Sequence, residues 1–317
     1  MPKKNRRKTK SRSVKCLEFV IVYLLISITR FLPLKIVKII SNFLGDLFFY
    51  FSSKRRNIAI ENLRHAFKDK KNDPEIQDIA RESCRSLVLT YLEIMKYRHL
   101  FTEQGDMNSF RQKTGDITEL FMKAKKIHDE SGGCIFVTPH IGNWEIISHV
   151  FSFIEIPMVM VARPLDNEYL EKLLYADRTS SGQMLIPKKN ALFTLRKTLK
   201  NGLSIGMLPD QSTMKGILIN FFGRPATTTP VPAILATSCK KPIVIVACCR
   251  KQDSAQYEGF VSDPIFHGEY HDKKAEIVRI TEEMTRQMES IIRKYPEQYL
   301  WTHNRWKTYK GKKSAFS

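Results

Sequence analysis

Cysteine is scarce in this sequence and poorly placed for either of its usual structural uses. The six residues Cys16, Cys84, Cys134, Cys239, Cys248 and Cys249 include no C-x-x-C pair, which argues against a zinc site. Cys248 and Cys249 are neighbours on what reads as a buried strand, which argues against a disulfide framework and for a reduced, cytosol-facing protein. Acidic residues are short as well: 32 stand against 52 Lys and Arg, for a net charge of +20. Such an imbalance expects an anionic partner, whether nucleic acid, anionic lipid or an acidic protein. With 14 Gly and 14 Pro in 317 residues, and no internal repeat, a collagen-like or linker-dominated chain is excluded.

Also missing is a long apolar run. After the basic tail at residues 1–15, MPKKNRRKTKSRSVK, the charge-free core at residues 19–29 has only 11 residues, against about 20 needed to span a bilayer. No A-x-A-like cleavage site follows it. A second apolar stretch comes instead, interrupted by Lys38 and Asp46 and ending in Phe48, Phe49, Tyr50 and Phe51, with Lys54, Arg55 and Arg56 just beyond. Two apolar stretches bracketed by basic clusters suit a membrane-anchoring region at residues 16–52 that embeds rather than spans cleanly.

Residues 53–110 read as helical, with a loose apolar period in KRRNIAIENLRHA and a start signal at Asp73-Pro74. From 111 to 317 the texture changes. Short branched runs, CIFVTP (134–139), MVMVA (158–162), SIGMLP (204–209) and PIVIVACC (242–249), alternate with helical stretches. That alternation predicts an α/β domain with a largely parallel central sheet flanked by helices.

Between two apolar runs stands FVTPHIGNWEI, residues 136–146. Residues five apart on one helix point about 140° away from each other. His140 and Glu145 therefore meet only if the histidine sits at a strand end and the glutamate in the first turn of the next helix, with Gly142 taking the tight turn. A carboxylate on one imidazole nitrogen makes the other a general base. The helix start offers backbone N–H groups near Gly142 and Asn143 that could hold an oxyanion or phosphate. Spacing alone leaves a structural His–Glu contact open. It does not match the H-E-x-x-H zinc pattern, so neither metal nor cofactor is expected.

TPHIGNWE followed by VARPLDN resembles the bacterial lipid A biosynthesis acyltransferases, within the wider lysophospholipid acyltransferase-like group marked by H-x4-D/E. RKTLKNGLSIGMLPDQS, FFGRPATTTPVPAILA, the closing YPEQYLWTHNRWK and the early RRNIAIENLRHAF resemble further blocks of that family, in order over roughly residues 55–308. The resemblance implies transfer of a fatty acyl chain from acyl carrier protein or acyl-CoA to a hydroxyl of a Kdo-bearing lipid A precursor. It places the protein at the bacterial inner membrane, with the catalytic domain facing the cytoplasm beside anionic lipids. His140 would be the base and Glu145 its orienting partner, while Arg163, Arg178, Asp210 and Arg224 would contact substrate or stabilise charge. The residue after the aspartate is Gln211, where some members carry histidine. The rivals are an acyltransferase for a glycerophospholipid or another glycolipid, and a basic nucleic-acid- or membrane-binding protein without catalysis. No nucleic-acid motif is present to support the latter.

Overall fold

The structure is a computed structural model that describes residues 11–68, 70–97, 100, 117–162, 165–173, 183–187, 191–251, 256–269 and 271–307. Four helices come first: α1 (Arg12–Phe31), α2 (Leu34–Phe51), α3 (Ser53–Phe67) and α4 (Asp73–Tyr97). Helix α1 starts inside the stretch read as the basic tail, because the Ser11 hydroxyl accepts from Val14 N–H and caps it. A reciprocal box opens α4: Asn72 Oδ1 accepts from Glu75 N–H, and a Glu75 carboxylate oxygen accepts from Asn72 N–H.

Helix α2 lies close against α4. A Cβ on Gly45 would sit 2.5 Å from the Arg85 Cα, so only glycine permits the approach. Next to it, Asp46, one of the charges that interrupts the second apolar stretch, is gripped by Arg81 and Arg85 at 2.6–2.7 Å. Those two guanidinium groups hold its carboxyl well below the usual range. The charge is thus internal to a helix pair. Outward, α1 presents Leu17, Ile21, Leu24, Ile28 and Phe31, and α2 presents Ile39, Phe43, Leu47 and Tyr50. Both sets recur at three- and four-residue steps, as one face of a helix requires. No described helix is long and apolar enough to cross a membrane.

The rest of the chain is α/β. Strands β1 (Ile135–Val137), β2 (Met158–Ala162), β3 (Met184–Pro187), β4 (Ser204–Met207), β7 (Ile243–Arg250) and β8 (Tyr257–Val261) form one sheet in the order β3-β2-β4-β1-β7-β8, and β5 (Ile217–Phe221) and β6 (Arg224–Thr228) a separate hairpin. All pairings in the sheet are parallel except β7–β8. The strict period of two sorts its side chains between two cores. Ile135, Val137, Ile205, Ile243 and Ile245 join α7 (Ala191–Lys200), α8 (Val231–Cys239) and α9 (Lys273–Lys294); Phe136, Met158, Val244 and Val246 join α5 (Met122–Ser131) and α6 (Trp144–Phe153).

The branched runs read from the sequence are β1, β2, β4 and β7, the four interior strands. Strands β3 and β8 escape that reading because they are edges and only partly buried. The hairpin turns on Phe222 and Gly223, both at positive φ (52° and 75°), the pairing of signs that a two-residue hairpin loop demands.

Candidate active site

Val137 at the end of β1 lies opposite Met207 at the end of β4. Three residues beyond each stand His140 and Asp210, so two adjacent strand ends deliver an imidazole and a carboxylate side by side. His140 Nδ1 is 2.6 Å from Asp210 Oδ1, and the His140 backbone N–H donates to Asp210 Oδ2 at 2.9 Å. Open parallel sheets characteristically bind ligands at this carboxyl edge.

Burial opposes a charged imidazole here. The charge of Asp210 and its hydrogen bond, joined by the charge of Glu145, outweigh that and leave the His140 pKa above its ordinary value. Burial likewise disfavours the Asp210 carboxylate, but the charge of His140, its two hydrogen bonds and the charge of Arg305 hold the pKa below the usual one. The buried Tyr299 phenol is pushed far up by burial and then by the Asp210 charge, so it stays protonated near that carboxylate. An ionised carboxylate only accepts, so His140 Nδ1 carries the proton and Nε2 presents a lone pair. Gln211 Nε2 lies 3.3 Å from that lone pair. Trp144 meets the ring edge-on, with centroids 5.3 Å apart.

The loop holding His140 is fastened from beneath. Gly142 has φ +58°, and a Cβ there would come within 2.1 Å of the Cys248 carbonyl oxygen. Its N–H donates to Gln298 O at 3.1 Å, and its carbonyl accepts from the Thr90 hydroxyl at 2.8 Å. Asn143 caps α6 through Oδ1, donates its N–H to Cys248 O, and donates Nδ2 to Glu93. Glu93 is in turn paired in the interior with Arg250, whose Nε and Nη2 reach it at 2.7–3.0 Å. Gln298 clamps the Arg250 backbone at both N–H and carbonyl, and Leu300 N–H donates to His140 O.

The sequence pattern of the bacterial lipid A biosynthesis acyltransferases matches residues 4–308. The chain belongs to that family. It is 25% identical over 288 residues, 87% of each chain, to the lipid A biosynthesis palmitoleoyltransferase of Escherichia coli (strain K12). It matches the lipid A biosynthesis acyltransferase of Shigella flexneri to the same extent. It is therefore an acyl-transferring enzyme of lipid A synthesis, whose substrates are a lipid A precursor and an acyl donor.

In this acyltransferase several of the residues read in the sequence have hydrogen-bond partners other than those expected. The Nδ1 hydrogen bond expected from Glu145 is made by Asp210, because strand pairing brings Asp210 beside the imidazole while the turn at Gly142 carries Glu145 into the start of α6. Glu145 accepts from Trp144 Nε1 at 3.2 Å and acts on His140 through its charge. The N–H groups of Ile141, Gly142 and Asn143 are committed to Pro139, Gln298 and Cys248 carbonyls, so the oxyanion role expected of Gly142 and Asn143 does not fit their hydrogen bonding. Arg224 opens β6 on the hairpin, its carbonyl accepting from Trp306 Nε1, and no described contact joins it to His140 or Asp210. Arg163 and Arg178 lie outside the described residues.

Glu93, Arg250, Tyr299 and Arg305 went unread as site residues of the acyltransferase. Tyr299 and Arg305 sit in the closing YPEQYLWTHNRWK block, so the resemblance marks their stretch without assigning either a role. The Glu93–Arg250 pair spans 157 positions and leaves no local pattern to find.

Proposed function

We propose that this acyltransferase moves a fatty acyl chain from a thioester, on acyl carrier protein or coenzyme A, to a hydroxyl of a Kdo-bearing lipid A precursor. The observation that carries the mechanism is the His140–Asp210 pair at 2.6 Å. His140 Nε2 takes the proton of the acceptor hydroxyl as its oxygen attacks the thioester carbonyl. A C–O bond forms, the tetrahedral oxyanion collapses, the C–S bond breaks, and the proton passes from Nε2 to the departing sulfur. Asp210 fixes the tautomer and balances the transient imidazolium. Glu145 adds negative charge at the mouth. No described serine or cysteine hydrogen-bonds to His140, which favours direct transfer over an acyl-enzyme. Neither metal nor cofactor enters this reading, and Arg163 and Arg178 are assigned to substrate contacts.

The apolar faces of α1 and α2 are assigned to the cytoplasmic surface of the inner membrane, lying in its plane with basic residues toward anionic headgroups.

The test is an assay on membranes bearing the chain, offered acyl-carrier and acyl-CoA thioesters with either a Kdo-bearing precursor or a lysophospholipid, and read by mass spectrometry. Wild type adds one acyl mass to the Kdo-bearing lipid, and His140→Ala lowers the rate by about 10²- to 10⁴-fold. Acylation of the lysophospholipid alone would sink the assigned acceptor. An undiminished rate in His140→Ala would sink the base.

A further inference from the structure

The reaction above creates an oxyanion, and the backbone amides next to His140 are committed elsewhere. Ile141 N–H donates to Pro139 O at 2.8 Å, Gly142 N–H to Gln298 O at 3.1 Å and Asn143 N–H to Cys248 O at 2.8 Å. A donor is needed within about 3 Å of the forming charge.

Gln211 directly follows Asp210, and its amide nitrogen is 3.3 Å from His140 Nε2. The amide end facing the ring is fixed by chemistry. Nδ1 keeps its proton and donates it in a hydrogen bond to Asp210, so Nε2 is an acceptor, and only the NH2 end of the glutamine can meet it. That hydrogen bond is the one the Gln211 side chain makes among the described residues. The side chain is only half-buried and has three rotatable bonds.

We propose that Gln211 is the oxyanion donor of the acyl transfer, a proposal that rests on His140 being the base. A hydroxyl bound to Nε2 sits about 2.8 Å from it and takes the place of the amide as hydrogen-bond partner. The carbonyl that the hydroxyl attacks lies about 3–3.5 Å further on, within the sweep of the released NH2 group. As the acceptor oxygen bonds to the carbonyl carbon and its proton passes to Nε2, the carbonyl oxygen becomes the oxyanion and accepts from Gln211 Nε2–H. When the C–S bond breaks, the oxyanion returns to a carbonyl and the donor is freed. The same amide therefore guards the base between turnovers and stabilises charge during them.

The experiment compares wild type, Gln211→Ala, Gln211→Glu and His140→Ala as full-length protein in membranes, with the acyl thioester and acceptor that wild type uses. Gln211→Ala is expected to lower kcat by about 10²- to 10³-fold, the loss typical of one oxyanion donor. KM for both substrates should stay within about two-fold and the melting temperature should be unchanged. Gln211→Glu keeps the shape but cannot donate, so its kcat falls at least as far. Its added negative charge also moves the acidic limb of the pH profile upward. A residue that only caps the base would give the opposite pattern: in Gln211→Ala the limb would shift while the kcat plateau stayed at the wild-type level. That outcome, or a loss confined to KM, overturns the proposal. If His140→Ala is inactive and Gln211→Ala is not, the oxyanion assignment alone fails. If His140→Ala keeps its rate, the base reading fails with it.

Discussion

At the scale of single residues, the site turns on which carboxylate answers His140. Asp210 raises the His140 pKa by charge and hydrogen bond, and a base works only when unprotonated, so the acidic limb of kcat/KM reports that raised value. In Asp210→Asn the charge is gone. The limb is expected to move to lower pH, while the plateau falls by about 10²- to 10⁴-fold because tautomer control and charge balance are lost. A pH–rate series from about pH 5 to 9 checks both, and a limb that stays in place would show that Glu145, or some other charge, sets the basicity. The histidine was legible in sequence because a Pro-His-x-Gly stretch between two apolar runs puts a titratable ring where packing alone has little use for one. Its partner was not, because Asp210 lies 70 positions away and the link is a strand register. Spacing along the chain suggests neighbours in sequence, and so it pointed to Glu145.

At the scale of elements, α4 supports the catalytic loop through the Thr90 hydroxyl, which donates to Gly142 O, and through a buried ion pair. Glu93 joins Asn143 at the start of α6 to Arg250 at the end of β7, and both partners are nearly excluded from solvent. Glu93→Ala leaves Arg250 buried without compensation, which costs about 3–5 kcal/mol, read as a fall in melting temperature. The double variant Glu93→Ala, Arg250→Met is expected to recover much of that stability but little activity, since Asn143 Nδ2 has still lost its acceptor. A double variant no more stable than the single one would mean that the pair does not act as described. Interior strands were readable at this scale because both faces are buried and each appears as an unbroken apolar run. The edges and the hairpin were harder. Strand β5, ILINF, is short and alternates in burial, a strand signature that the reading passed over, and in β6 the run RPATT begins at an exposed arginine and does not stand out from a loop.

At the scale of the whole molecule, charge and exposed apolar surface coincide. The net +20 and the outward faces of α1 and α2 predict that the protein co-floats with phosphatidylglycerol vesicles. Leu24→Glu with Phe43→Glu is expected to leave most of it unbound without changing the melting temperature, since both side chains already face outward. Raising salt should weaken binding only in part, because screening acts on the charges and not on the apolar contact. Equal flotation of wild type and variant would remove the helices from the membrane assignment. Both apolar stretches were visible in the sequence. What it did not reveal was that Asp46 is satisfied inside the helix pair, which leaves α2 free to offer an uncharged outer stripe.

The chain's early and late blocks also touch. Asn62 on α3 donates to the carbonyls of Trp301 and His303 at 2.8 and 2.7 Å, and Arg55 donates to Thr302 O. Tyr299 and Arg305, from the same late block, bear on Asp210. Synthesis runs from one end to the other, so a ribosome-bound chain has already released α1, α2 and the His140–Asp210 pair when the residues that complete that pair's surroundings are still untranslated. Such a nascent chain presents the outward apolar faces of α1 and α2 before it can catalyse. Competence arrives late, once Gln298 and Leu300 fasten the loop that carries the base.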